Sequence, residues 1–170
     1  DNAVNGGGVT LWHATGVGRW EEVTDKAGFS KHTGWTLDLG HGDFNNDGLQ
    51  DVYLACDYGT DRIFFNNGDG TFRDTTETSL GIDTKKGMNV DVGDYDNDGW
   101  LDLYVVQWGR NRLFRNERDG TFTDVTAAAF VNEKGQPGSP WANGCAAVWV
   151  DHDGDGWLDL YVGNYFAPFD

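Results

Sequence analysis

Asp94-Tyr95-Asp96-Asn97-Asp98-Gly99-Trp100-Leu101-Asp102 is the stretch on which the reading of this chain turns, and the chain carries it three times. An earlier copy reads Asp43-Phe44-Asn45-Asn46-Asp47-Gly48-Leu49-Gln50-Asp51, and a later one Asp151-His152-Asp153-Gly154-Asp155-Gly156-Trp157-Leu158-Asp159. Each copy has an acidic or amide oxygen at positions 1, 3 and 5, a glycine at 6 and an aspartate at 9. Such side chains crowded into nine residues repel one another unless a cation lies between them. Alternate residues of a tight loop point to one side, and glycine at 6 permits the sharp turn. The donors are hard oxygens with no Cys and no paired His, a set that favours calcium over zinc or copper. The predicted ligands are Asp43, Asn45, Asp47 and Asp51; Asp94, Asp96, Asp98 and Asp102; and Asp151, Asp153, Asp155 and Asp159. Ca²⁺ takes about 6–8 oxygens, so the position-7 backbone carbonyls of Leu49, Trp100 and Trp157, with water, complete three expected shells.

The first six positions also fit an EF-hand loop, which would need a carboxylate at position 12. Leu54, Val105 and Val162 stand there. Each loop is followed by a β-branched and aromatic run, as in Leu103-Tyr104-Val105-Val106, which reads as a strand and not an exiting helix. A calcium loop that enters a strand is what survives. Asp-rich turns that bind nothing are common singly, but three copies in register argue against that reading.

A second repeated element sets the period. Ile63 to Thr76 matches Leu113 to Thr126, and Leu11 to Thr24 has the same length and pattern. Each reads as a β-hairpin around a tight turn. One repeat therefore holds an entry strand (87–93), the loop, a second strand (100–107) and a hairpin of two more. Four short antiparallel strands in about 50 residues are the signature of a propeller blade. The expected fold is all-β, with propeller-type four-stranded blades in an incomplete propeller or repeat array. Within the single module 1–170, residues 11–24 read as the tail of a preceding blade, 27–76 as repeat 1, 77–126 as repeat 2 and 127–170 as the start of repeat 3. The third loop is delayed by an insertion at 132–143, which contains Pro137 and Pro140 and reads as a surface loop.

The run Gly93 to Val105, followed by Asn111 to Asn116 and Asp119 to Thr126, resembles the FG-GAP/VCBS repeat family. It is most similar to the subgroup of extracellular acidic proteins and bacterial proteins with an ASPIC/UnbV region. The resemblance spans roughly residues 11–165. It implies a β-propeller with calcium at the blade loops, as in integrin α-subunit heads, usually in secreted or surface proteins that bind macromolecules. Asn45 departs from the all-Asp pattern, and the first site is expected to bind more weakly. Complete rings of this kind have about seven blades, the smallest about four. Two full repeats with two partial ones cannot close such a ring. The chain is then a piece of a longer protein, or a protomer whose unpaired edges meet copies of itself.

Composition narrows the partners. Net charge is −16, from 28 acidic and 12 basic residues, so nucleic acid and anionic membranes are repelled. No stretch approaches the ~20 apolar residues of a membrane span. The chain begins at Asp1 without a Met, which reads as processing or excision. Whether Cys56 and Cys145 are bridged or free is open. His13, His32, His41 and His152 share no spacing, His152 at position 2 is expected to point away from the ion, and no catalytic motif is present. The chain is not expected to be an enzyme. Trp100, Trp157, Tyr53, Tyr104, Tyr161, Phe72 and Phe122 recur at equivalent positions and read as core. Trp35, Trp108, Trp141 and Tyr165 break the repeat and are candidates for a binding surface.

The expected function is a calcium-binding extracellular or cell-surface module for structure or adhesion, its partner another protein or a copy of itself. The alternatives are a carbohydrate-binding module, or the non-catalytic part of a larger surface enzyme.

Overall fold

The computed structural model describes residues 5–81, 86–130 and 141–164, the backbone alone for 141–143. The expected loop around Pro137 and Pro140, Tyr165, and the Trp141 side chain lie outside the described residues. The chain is all-β. Strands β1 (Trp12–Gly16) and β2 (Arg19–Glu22) form a lone exposed hairpin. Strands β3 (Thr36–Gly42), β4 (Asp51–Cys56), β5 (Arg62–Asn66) and β6 (Phe72–Asp74) make a four-stranded antiparallel sheet in sequence order, the first blade. The second blade repeats it with β7 (Gly87–Gly93), β8 (Asp102–Arg110), β9 (Arg112–Asn116) and β10 (Phe122–Asp124). Strands β11 (Trp141–Val150) and β12 (Asp159–Asn164) supply the inner half of a third.

Strand β8 runs past the expected end at 107 because its last residues pair with the start of β11, Arg110 opposite Trp141. Three single-turn helices were not foreseen: α1 (Thr24–Ala27), α2 (Thr76–Ser79) and α3 (Thr126–Ala129). Each closes a hairpin. Its first threonine hydroxyl accepts the N–H that opens the hairpin, as Thr24 does from Leu11 (2.9 Å), Thr76 from Ile63 (3.0 Å) and Thr126 from Leu113 (2.9 Å).

Strand alternation sends the two faces of each sheet into different cores. Tyr53, Ala55, Ile63 and Phe65 of the first blade meet Leu103, Val105, Phe114 and Phe122 of the second. On its other face the second blade packs Tyr104, Val106 and Leu113 against Trp149, Leu160 and Val162. The buried phenols are satisfied: Tyr53 donates to Asp61 (3.1 Å), and Tyr104 accepts from the Asn111 amide (3.1 Å). Inner strands are tied across blades by side chains. Asp38 accepts the Val90 N–H (3.0 Å), Asn89 the Ala147 N–H (2.7 Å) and Asp91 the Trp149 N–H (2.6 Å). Glycine lets them approach. A Cβ on Gly42 would lie 2.7 Å from Leu101 Cδ1, and one on Gly93 2.9 Å from Trp149 Cδ1.

The core expectation holds for Tyr53, Tyr104 and Phe122 and fails for Trp157 and Tyr161, which are exposed. Tyr161 is 56% accessible where its equivalent Tyr104 is 2%. The reason is local: the third blade's far face has no sheet against it among the described residues. Cys56 and Cys145 are free thiols, one buried and one exposed.

Candidate metal centre

All three loops link the inner strand of a blade to the next strand, and one hydrogen-bond scheme builds them. The position-1 carboxylate accepts the N–H groups of positions 5 and 6: Asp43 from Asp47 and Gly48 (3.0 and 2.7 Å), Asp94 from Asp98 and Gly99 (2.9 and 2.8 Å), Asp151 from Asp155 and Gly156 (3.1 and 3.0 Å). The position-5 carboxylate accepts the position-7 N–H, from Leu49, Trp100 and Trp157 in turn (2.9, 2.9 and 2.8 Å). Position 9 reaches back to the position-2 N–H: Asp51 to Phe44 (2.9 Å), Asp102 to Tyr95 (3.2 Å), Asp159 to His152 (3.0 Å). Asp51 and Asp102 also accept from Asn66 and Asn116 (2.9 and 2.8 Å), which locks each loop to its hairpin.

The backbone explains a signal the sequence reading passed over. Position 4 has positive φ in every loop, at Asn46 (54°), Asn97 (57°) and Gly154 (79°). Asn and Gly tolerate that left-handed conformation best, so their presence there was legible in principle.

Among the described residues, the groups whose ligand atoms gather within 4.8 Å, close enough to share a metal ion, are Asp94, Asp96 and Asp102; Asp151, Asp153 and Asp155; and His152, Asp153 and Asp159. The second loop fits a hard cation on a further observation. Asp96 Oδ1 is a buried carboxylate oxygen with no hydrogen-bond partner, a costly state unless a cation completes it. Burial, with Asp98 and Asp94 close by, pushes the Asp96 carboxyl above the usual range. Burial pushes Asp102 up to about 7, against the N–H groups of Asn116 and Tyr95.

Other predicted ligands are engaged otherwise. The Arg118 guanidinium donates to Asp98 Oδ2 (2.7 Å) and holds that carboxyl below its ordinary value. In the first loop the Asn45 amide donates to Asp47 (2.9 Å), and its three acids do not gather so closely. The expectation that His152 points away is corrected. Its Nδ1 lies against Asp159 Oδ2, which lowers the Asp159 pKa and raises that of the imidazole. Position 2 is a phenylalanine or tyrosine in the other loops, and neither ring has a polar atom at the place of the imidazole Nδ1.

A second feature lies apart from the loops. Asp57, Tyr58, Lys86, Met88 and Trp108 line an open cleft of about 220 Å³. Trp35 meets Tyr58 edge-on, with ring centroids 6.2 Å apart. Two of the four aromatics that break the repeat thus flank one cleft, joined by Tyr58, which the sequence had not marked.

The model of a family described as FG-GAP-like repeat matches residues 43–105 and 94–162, each match running through two successive loops and overlapping on the middle one. A search of curated proteins gave no match.

Proposed function

The chain belongs to the FG-GAP-like repeat family, and from that premise we propose that it is a calcium-binding module for structure or adhesion that works by protein–protein contact. The observation that carries the calcium reading is the orphan Asp96 oxygen beside Asp94 and Asp102, in a loop whose hydrogen-bond scheme recurs three times. The donor set is oxygen throughout, as calcium prefers. Asp94, Asp96 and Asp102, and Asp151, Asp153 and Asp155, would supply the ligands, with the Trp100 and Trp157 carbonyls. The ion's part is to neutralise these carboxylates. The chain's own part is to hold the loop open through its N–H bonds and to start each second strand at a fixed angle. No residue is assigned a catalytic role.

FG-GAP-like repeats are typical of extracellular domains, and among the described residues no helix is long and apolar enough to cross a membrane. Secretion or surface display suits the reading, since extracellular modules bind calcium with Kd values of about 10⁻⁴–10⁻³ M. Protein contact is supported by the two outer faces. Leu39 is 55% accessible where its equivalent Val90 is 5%, and Val148, Val150 and Tyr161 stand exposed at the other end. A partner protein or a second copy is the proposed occupant. Calorimetric titration tests the calcium reading: Asp102→Ala should lower the number of ions bound by one, and an unchanged stoichiometry would refute the assignment.

A carbohydrate-binding reading is favoured by one observation, the cleft between Tyr58 and Trp108 with Asp57 and Lys86 on its wall. Aromatic faces beside a carboxylate and an ammonium suit a sugar ring. A glycan array with wild-type and Trp108→Ala protein decides it, because loss of every signal in the variant is the required result.

A further inference from the structure

The two position-4 asparagines do more than turn their own loops. Asn46 Nδ2 donates to the carbonyl of Gly99, 53 residues away (3.3 Å). Asn97 Nδ2 donates in the same way to the carbonyl of Gly156, 59 residues away (3.0 Å). Position 4 of one loop thus grips position 6 of the next, at both joints between successive loops. The peptide it grips is held from two sides. In the second loop its oxygen is taken by Asn46 and its N–H, on Trp100, by Asp98 Oδ1 (2.9 Å). In the third loop the same peptide is taken by Asn97 and by Asp155 Oδ1 (2.8 Å). The next carbonyl along the chain is that of Trp100 or Trp157, the backbone ligand assigned above. With that peptide held, only the φ and ψ of Trp100 or Trp157 remain to place it.

We propose that Asn46 and Asn97 are positioning residues that couple the three loops into a relay, so that order in one loop raises the cation affinity of the next. This rests on the calcium reading above. A bound cation fixes its own loop between positions 3 and 5, and the intervening position-4 residue is fixed with them. The amide is then held where the neighbour's peptide needs it, and the neighbour's carbonyl is oriented before its ion arrives. Linkage makes the effect mutual: an ion in the third loop strengthens binding in the second by the same factor. The relay has one direction of construction, since the third loop carries Gly154 at position 4 and has no side chain to pass on.

The size follows from what is transmitted. One hydrogen bond to a neutral carbonyl contributes modestly on balance, so each joint should change affinity about fivefold. Terbium luminescence reads the sites apart, because Trp100 and Trp157 sit at position 7 of the second and third loops while Leu49 occupies that place in the first. In a Trp100→Phe background, the part of the signal that is lost on adding Trp157→Phe reports the third loop, since Tyr95 and Trp149 also stand beside the loops. Asn97→Gly copies the residue found at 154 and keeps the left-handed turn. It should weaken terbium binding in the third loop about fivefold. Asp94→Asn, which disables the second loop, should weaken it by a similar factor. The two changes together should do no more than either alone, since both break one connection. Additive losses, or no loss from Asn97→Gly, would overturn the relay. Absence of sensitised signal in the Trp100→Phe protein itself would instead overturn the cation reading on which the relay rests.

Discussion

Arg118 shows how one side chain sets the readiness of a site. It occupies a left-handed position (φ 68°) where the first repeat has Gly68 (φ 79°), and from there it pairs with Asp98. The cation proposed for the second loop would have to compete with that guanidinium. Arg118→Gly should therefore raise calcium affinity at this loop two- to fivefold, about the worth of a surface ion pair, as read by calorimetric titration. Asp102 sets the pH dependence. Its folded pKa, about 7, lies above the ordinary 3.8, so the cation-free fold holds a proton that the unfolded chain has released. Stability without calcium should then fall as pH rises from about 4 to about 7 and level off above. The proposed calcium would displace that proton, so its stabilising effect should be larger at pH 8 than at pH 5.5. Melting curves with calcium and with chelator at the two pH values check both signs.

At the scale of elements, the threonine that opens each short helix is a clamp. Thr126 is buried, and its hydroxyl accepts from Leu113 and donates to Asp124. Thr126→Val should cost about 1–3 kcal/mol, the penalty for leaving the Leu113 N–H buried and unpaired, measured as a lower urea midpoint with unchanged slope. The blades were legible because their signals are periodic. Tyr53, Leu54 and Ala55 alternate between two cores as Leu103, Tyr104 and Val105 do, and the aspartate spacing marks where each strand begins. The helical turns were not, since four residues are too few for a 3.6-residue period to declare itself. In the site, the pattern named the acids that gather in the second and third loops. It could not reveal that Arg118 takes Asp98 or that His152 takes Asp159, because both depend on where a side chain from another position comes to rest.

For the whole molecule, the charge of −16 makes the proposed calcium a matter of stability. Each occupied site at a hundredfold excess over Kd adds about 2.7 kcal/mol. Excess chelator should accordingly lower the melting temperature, and the drop should shrink at high salt, where carboxylate repulsion is screened. The outer faces make a separate prediction. If copies meet there, sedimentation should show association that is weakly salt-dependent, because Leu37, Leu39, Val148, Val150 and Tyr161 are apolar. Val148→Glu should abolish it.

Those faces are not alike, and the glycines seated between blades show what the difference entails. The first and second blades offer Gly42 and Gly93 where a neighbour's leucine enters, Asp38 and Asn89 where its N–H needs an acceptor, and Asn46 and Asn97 for its loop. The third blade has Val150, Ala146 and Gly154 in those places. The repeats are therefore ordered words and not interchangeable beads. A duplication of the stretch beginning at Asp38 carries donor, acceptor and gap together, and the copy can be read into the series. A third repeat placed ahead of a copy of the second would bring a valine to a gap made for hydrogen, so the first two units suit that place and the third, as it stands, does not.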